Sequence, residues 1–382
     1  MNRILATLPF LLLAACEKPQ PKAAPDQTVS TPADTIWPIT RGGPHLQGRV
    51  HAPAAQQPVI EWTYDLGHPA IAEAAIAEGA IVIGDMMGNV HCIDFQARER
   101  RWVFETGDTV AAAPAISGGR VFVGSGDGQF HALDLKTGEK IWTIEGDEKF
   151  SSSAILVAAP DGSGEWLLVN GYDGITRCLR PADGSTVWTY PTNDYINGTP
   201  AVIDGRHVAF GGCDKIIHVL DLSSGKLVNE IIGAAQITTS VATFGTTIFC
   251  GNYANQVIAA DANAKQPAWV YEGKDFPFFS SPAVDEKNVY IGSRDKSLHA
   301  IDRATGKRAW VFKTGGRVDS SPLAFDDAIV FGSTDGRLYA TDPVDGRELW
   351  RLDLGEDLTA APVYAYGRIV IAGGDGTLFV LK

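Results

Sequence analysis

Eight histidines, five cysteines and a scatter of Gly-Asp-Gly triplets are the residues of this 382-residue chain whose types suit chemistry. A metal site needs three or four such ligands converging on one point, and short fixed spacings usually betray it. Here His91, His131, His218 and His299 lie tens of residues apart, each three residues before an aspartate: Asp94, Asp134, Asp221 and Asp302. Histidines set out by a repeat are strand residues, so no metal is expected. Cys92 and Cys178 share one repeat column two units apart and should not meet. Cys213 and Cys250 sit in different columns of neighbouring units; a disulfide between them is open to an exported protein, and buried free thiols are the expected alternative. No Ser-His-Asp order and no phosphate-binding glycine loop stands out. The Gly-Asp-Gly triplets read as turns, because glycine accepts the positive φ that tight hairpins require.

What must position these residues is a repeat of about forty positions. The column Asp94, Asp134, Arg180, Asp221, Asp261, Asp302, Asp342 and Lys382 recurs along the chain. Eight residues after each anchor stand Trp102, Trp142, Trp188, Asn229, Trp269, Trp310 and Trp350, and Trp62 extends the column backwards. Each unit reads as four short strands joined by glycine turns, with apolar residues alternating along them. Four antiparallel strands per forty residues, repeated, describe the blades of an all-β propeller. The last unit has three strands and no tryptophan strand, so the segment "VIEWTYDL" around Trp62 is expected to supply the fourth. That gives eight blades and leaves no open edge in the ring. The seven tryptophans are expected to dock adjacent blades together, since one buried ring removes ~150–250 Å² from water.

The phrase A-x-D-x-x-T-G-x-x-x-W, best matched by residues 132–142 and 300–310, resembles the repeat of the PQQ-like (quinoprotein-type) eight-bladed propellers. The likeness covers residues 59–382. The resemblance implies a family that contains quinoprotein dehydrogenases as well as non-enzymatic lipoproteins such as the outer-membrane assembly factor BamB. The dehydrogenases carry long insertions, an adjacent cysteine pair over the cofactor and a Glu/Asn/Asp set for Ca²⁺. None of these is present here, and no unit carries the oxygen-rich cluster a calcium ion needs. The expectation is therefore no catalytic residue, no cofactor and no metal. A redox protein, or a sensor binding a small ligand or sugar in the central channel, is the alternative.

The N-terminus reads as an address. A basic start, an apolar stretch from Ile4 to Leu13 and the ending "LAAC" make residues 1–15 a signal peptide resembling those of bacterial lipoproteins. Cys16 would carry the lipid, and Glu17 after it favours the outer membrane where there is one. Residues 16–36, rich in Pro, Ala, Gln and Thr, read as a tether. Residues 37–58, opening "WPITRGG", form an extended segment ahead of the ring, like that of many uncharacterised secreted members of the family. A formal charge of −13 offers no basic surface for nucleic acid or anionic headgroups. The expected partners are envelope proteins, bound by a monomer.

Function must then lie where the repeat is broken or in loops at the ring's mouth. Most loops leading from an outer strand to the next inner strand end in small residues before proline: "AAP", "GTP", "SSP". One inserts "KDFPFF" and another carries "NDYING". Phe276, Phe278 and Tyr195, rimmed by Asp275 and Asp194, are the candidate partner-binding residues. Two blades are irregular: one has Asn229 for tryptophan, and the next, "DANAKQPAW", lacks the Thr-Gly turn.

Overall fold

The computed structural model describes residues 36–237, 239–274 and 276–382. In it the forty-residue unit is a blade, and the described residues form eight four-stranded antiparallel sheets. Blade 2 shows why. Its inner strand Ala115–Ser117 turns at Gly118 and Gly119 (φ 56° and 72°) into Arg120–Gly124. Asp127 Oδ1 accepts the Gln129 amide at 2.9 Å and closes the next hairpin. Beyond the third strand, Gln129–Asp134, Asp134 Oδ1 accepts the Lys136 and Thr137 amides before the outer strand Lys140–Glu145. The three inner strands are almost wholly buried and the outer one only in part.

The ring closes as the sequence predicts. Ile60–Asp65 pairs antiparallel with Thr377–Leu381, setting Trp62 opposite Val380 and Tyr64 opposite Leu378. Val59 and Lys382 exchange both backbone hydrogen bonds at 3.0 Å. The outer strand of blade 8 is thus Ile60–Asp65, which closes the ring.

The tryptophans lie between blades. Five of the seven donate the indole N–H to a carbonyl of the following blade: Trp102 to Leu135 (2.9 Å), Trp142 to Pro181, Trp188 to Leu222, Trp269 to Arg303 and Trp310 to Pro343 (3.1 Å). The ring face covers the turn glycine of that blade. A Cβ added to Gly138, Gly184, Gly225, Gly306 or Gly346 would stand within 2.9 Å of it. The glycine of the repeated phrase therefore answers two demands, a positive φ and a flat seat for the neighbour's indole. This also explains the irregular blades. Asn229 Nδ2 reaches Ala262 O (2.8 Å) and Ala264 O (2.6 Å), the job of the missing indole N–H. With no ring to seat, the next turn has Lys265 where glycine would stand; the glycine is absent as well in blade 1, where Arg98 lies 5.8 Å from the Trp62 ring.

Candidate functional site

The channel runs between the inner strands, and the small residues before proline line it. In "SSP" the first hydroxyl ties the inner strand to the second strand of its own blade, as Ser280 Oγ does with Gly292 N at 2.7 Å. The second ties blade to blade. Ala113 N donates to Ser153 Oγ, Ser153 N to Thr199 Oγ1, Thr199 N to Ser240 Oγ, Ser240 N to Ser281 Oγ and Ser281 N to Ser321 Oγ, at 2.8–3.2 Å. Blade 8 has Ala361 in this column and blade 1 has Glu73, so the hydroxyl belt stops where a carboxylate enters.

Glu73 holds the N-terminal segment, whose role the sequence left open. Its carboxylate accepts the Trp37 indole N–H (2.5 Å), the Thr40 hydroxyl (3.0 Å) and the Arg41 amide (2.7 Å). Arg41, 3% exposed, reaches past it to the carbonyls of Pro322 (2.5 Å) and Pro282 (3.4 Å). Burial raises the Glu73 pKa, against the pull of Arg41 and of the three donors; burial likewise lowers that of Arg41. The segment then travels round one end of the channel. Carbonyls of Trp37, Pro38, Pro44, His45, Gln47 and Gly48 accept the amides of Ile76, Ile116, Val202, Thr243, Val284 and Ala324, one per blade, at 2.7–2.9 Å. In these six blades an edge that would face the channel unpaired is covered, and the segment closes that end over them.

The other end is ringed by the turns between second and third strands and by the loops between blades. Here the structure divides the candidate residues. Tyr195 is 45% exposed and stacks on Tyr172 at 4.3 Å, with the rings 9° apart and the Lys149 ammonium 4.5 Å from the Tyr172 centroid. Burial raises the Tyr172 phenol pKa, helped by the nearby Cys213, Tyr195, Asp194 and Glu148. Phe276 is 49% exposed. Asp275 lies outside the described residues. Phe278 is a correction: it is 0% exposed and packs on Tyr271 and His299. It occupies the column of Val110, Phe150, Ile196, Ile237, Val318 and Leu358, the apolar residue each loop tucks beneath the neighbouring turn. That column was readable in the sequence. Two further aromatics stand there: Phe279, the last of the "KDFPFF" run, covered by the Arg294 guanidinium at 3.9 Å, and Tyr253, edge-on to Phe279 at 5.6 Å and half exposed. The sequence reading missed Tyr253, and the turn position shared by Tyr172, Cys213, Tyr253 and Arg294 was the signal for it. This end thus carries an arc of aromatics with cations lying over them.

The histidines serve their own blades. His91 bonds Asp85 (2.9 Å), His218 bonds Asp214 (2.7 Å) and His299 bonds Asp295 (3.1 Å), each aspartate standing in the adjacent turn. Burial pushes Asp85 upward, but His91, Asn89 and two backbone amides outweigh it and hold it below the usual range. Among the described residues no three His, Cys, Asp or Glu side chains converge as a metal site would. Cys92, Cys178 and Cys250 are free and buried, and desolvation pushes each thiol up to about 12; such thiols are inert. Cys213 faces Asn197 at 3.3 Å and is free. No helix among the described residues is long and apolar enough to cross a membrane.

Ring, repeat and inter-blade indoles define an eight-bladed propeller of the PQQ-like kind. Residues 109–382 match the family model described as "Beta-alanine-activating enzyme, beta-propeller", and the chain belongs to that beta-propeller family. No curated protein matches the chain by sequence. Among solved structures, BamB from Moraxella catarrhalis is similar at 20% identity and a TM-score of 0.70, over 85% of this chain and all of that one. The quinohemoprotein alcohol dehydrogenase from Comamonas testosteroni is similar at 14% identity and a TM-score of 0.75, over 91% of this chain and 80% of the other. A computationally designed protein, Ika8, is similar at 16% identity and a TM-score of 0.70, over 83% and 96%. Likenesses this distant describe the fold and leave function to the site.

Proposed function

We propose that the protein is a non-enzymatic scaffold, anchored by a lipid on Cys16 at the bacterial cell envelope, that presents the open end of its channel to protein partners. BamB-like help in outer-membrane protein assembly is the most specific form of this reading. The observation that carries it is the arc of exposed aromatics, Tyr195, Tyr253 and Phe276, at the end of the channel opposite the closed one. Exposed aromatics beside cations are what partner-binding surfaces use. The channel offers little to a quinone and calcium. Glu73, the carboxylate set into its wall, already gives both oxygens to the chain's own donors. The residues present do not fit that group.

The test pairs two assays. Affinity capture from detergent-solubilised envelope should recover a defined partner with the native protein and lose it with Tyr195→Ala/Phe276→Ala. Quinone with Ca²⁺ and an electron-accepting dye should give no substrate-dependent reduction. Dye reduction at enzymatic rates, with capture indifferent to the two substitutions, would replace this reading by a redox one.

A further inference from the structure

The closed end of the channel is closed at every blade but one in the sector it crosses. In each blade the residue in the column of Ile76 makes a non-hydrogen-bonded pair with the second strand, so its N–H and C=O point into the channel. The N-terminal segment meets six of these amides. In blade 8, outside that sector, the equivalent Tyr364 amide also has no backbone partner among the described residues, and its side chain is buried in a cluster with Trp37, Val50 and Phe325. Blade 3 is the gap within the sector. Between Pro38 and Pro44 the segment makes the turn Thr40–Gly42, which sends Arg41 down the channel, and passes the inner strand Ile155–Ala158 without pairing.

Register shows which groups are left. Ala159 N donates to Gly164 O at 2.8 Å, and Ala158 faces Glu165, Val157 faces Trp166 and Leu156 faces Leu167. Counting back from the bonded pair at Ala159, Leu156 and Ala158 turn both backbone groups outward. Neither amide has a partner among the described residues. A cavity of about 350 Å³ lies beside Leu156, walled by Ile36, Pro38, Ile39, Pro44 and Ile116. Glu78 and Glu165, both exposed, stand among its lining residues, and no lysine or arginine does. Glu165 accepts the Ser117 hydroxyl at 2.6 Å, and Glu78 a long bond from Gly119 N at 3.3 Å.

We propose that this gap is a strand-addition site for a partner polypeptide: a short extended segment that alternates apolar residues with lysine or arginine. The backbone of such a segment would repeat at blade 3 what the protein's own chain does at its neighbours. Two outward residues on the edge call for about four or five residues of partner at ~3.3 Å each. Alternation puts apolar side chains into the cavity and basic ones beside Glu78 and Glu165, in a chain whose charge of −13 already favours a cationic guest. The site lies at the opposite end of the channel from the aromatic arc, so it stands or falls separately from the scaffold reading.

The experiment is residue-resolved amide exchange on the full chain, with a capped heptapeptide alternating lysine and valine as probe and its glutamate–valine counterpart as control. Without peptide, Leu156 and Ala158 should exchange about 100-fold or more faster than Ile116 and Thr243, whose amides are bonded. The lysine peptide at saturation should slow both by about tenfold or more, and the glutamate peptide should not. Ala158→Pro removes one outward N–H at a position where proline breaks no ladder bond, and should abolish the protection. Glu165→Lys, at an exposed position, should weaken binding about five- to tenfold and serves if the proline variant melts early. Slow exchange of Leu156 in the free protein overturns the proposal: independent of concentration, it means that the protein's own chain covers the edge; dependent on it, a second copy. Equal protection by both peptides, or by neither, overturns it as well.

Discussion

Gly225 carries the sharpest test of how the ring is held. Its φ is 66°, and a Cβ there would lie 2.5 Å from Cδ2 of Trp188. Gly225→Ala should therefore cost on two counts. An L-residue at such a φ loses ~1–2 kcal/mol. The displaced indole loses its 2.9 Å bond to Leu222 O, worth ~1 kcal/mol, and part of its burial. We expect a total of about 3 kcal/mol. Trp188→Ala should cost about 3–5 kcal/mol, the usual range for a buried large aromatic. In the double variant no ring remains to be displaced, so the glycine substitution should cost only its backbone strain. The two should thus couple by about 1–2 kcal/mol. Gly245 supplies the control: its φ is 60° and nothing lies within 4 Å of an added Cβ. Gly245→Ala should cost ~1–2 kcal/mol and add to Trp188→Ala without coupling. The assay is urea unfolding of the native protein, the three single variants and the two doubles, read as midpoint shifts at constant slope. Strict additivity at Gly225, or equal costs at Gly225 and Gly245, would refute the account of indole seating on glycine.

At the open end, Tyr195→Ala and Phe276→Ala should leave the melting temperature nearly unchanged, whereas Phe278→Ala should destabilise by about 3–5 kcal/mol, as differential scanning fluorimetry would reveal. Glu73 has a folded pKa raised above its unfolded one, so the folded state holds its proton longer. Its contribution is then full below the ordinary carboxyl range, ~4.3, and is lost as pH rises through the folded pKa. Glu73→Gln should accordingly gain on the native protein in melts run from pH 4 to pH 8; a constant difference would show that Glu73 does not titrate there. Intact mass of membrane-extracted protein should show a chain beginning at a lipidated Cys16, and an unmodified terminus or cleavage elsewhere would remove the anchor from the proposal.

The architecture was legible because one pattern recurs and each unit repeats its errors of spacing rarely. Blade number, ring closure through Trp62 and the inter-blade position of the tryptophans could all be read from columns. What escaped needed neighbours distant in sequence. The exchange of Trp for Asn229 and of Gly for Lys265 looks like two accidents until the indole of one blade is seen on the glycine of the next. The "SSP" serines read only as small residues, yet their hydroxyls join blades forty residues apart. Nothing in "WPITRGG" announces that Trp37, Thr40 and Arg41 converge on Glu73, because the carboxylate stands in a column otherwise filled by Ser, Thr and Ala. Phe278 was misplaced for the opposite reason: a local run of phenylalanines outweighed the column that marks it as core.

The most direct test of the scaffold reading is photo-crosslinking in intact cells, with a photoreactive residue placed at Tyr195, at Phe276 or, on the outer strand of blade 2, at the exposed Ile141. Discrete crosslinked protein from positions 195 and 276, and none from 141, is the predicted result. Equal crosslinking from all three positions, or none from the open end of the channel, would contradict it.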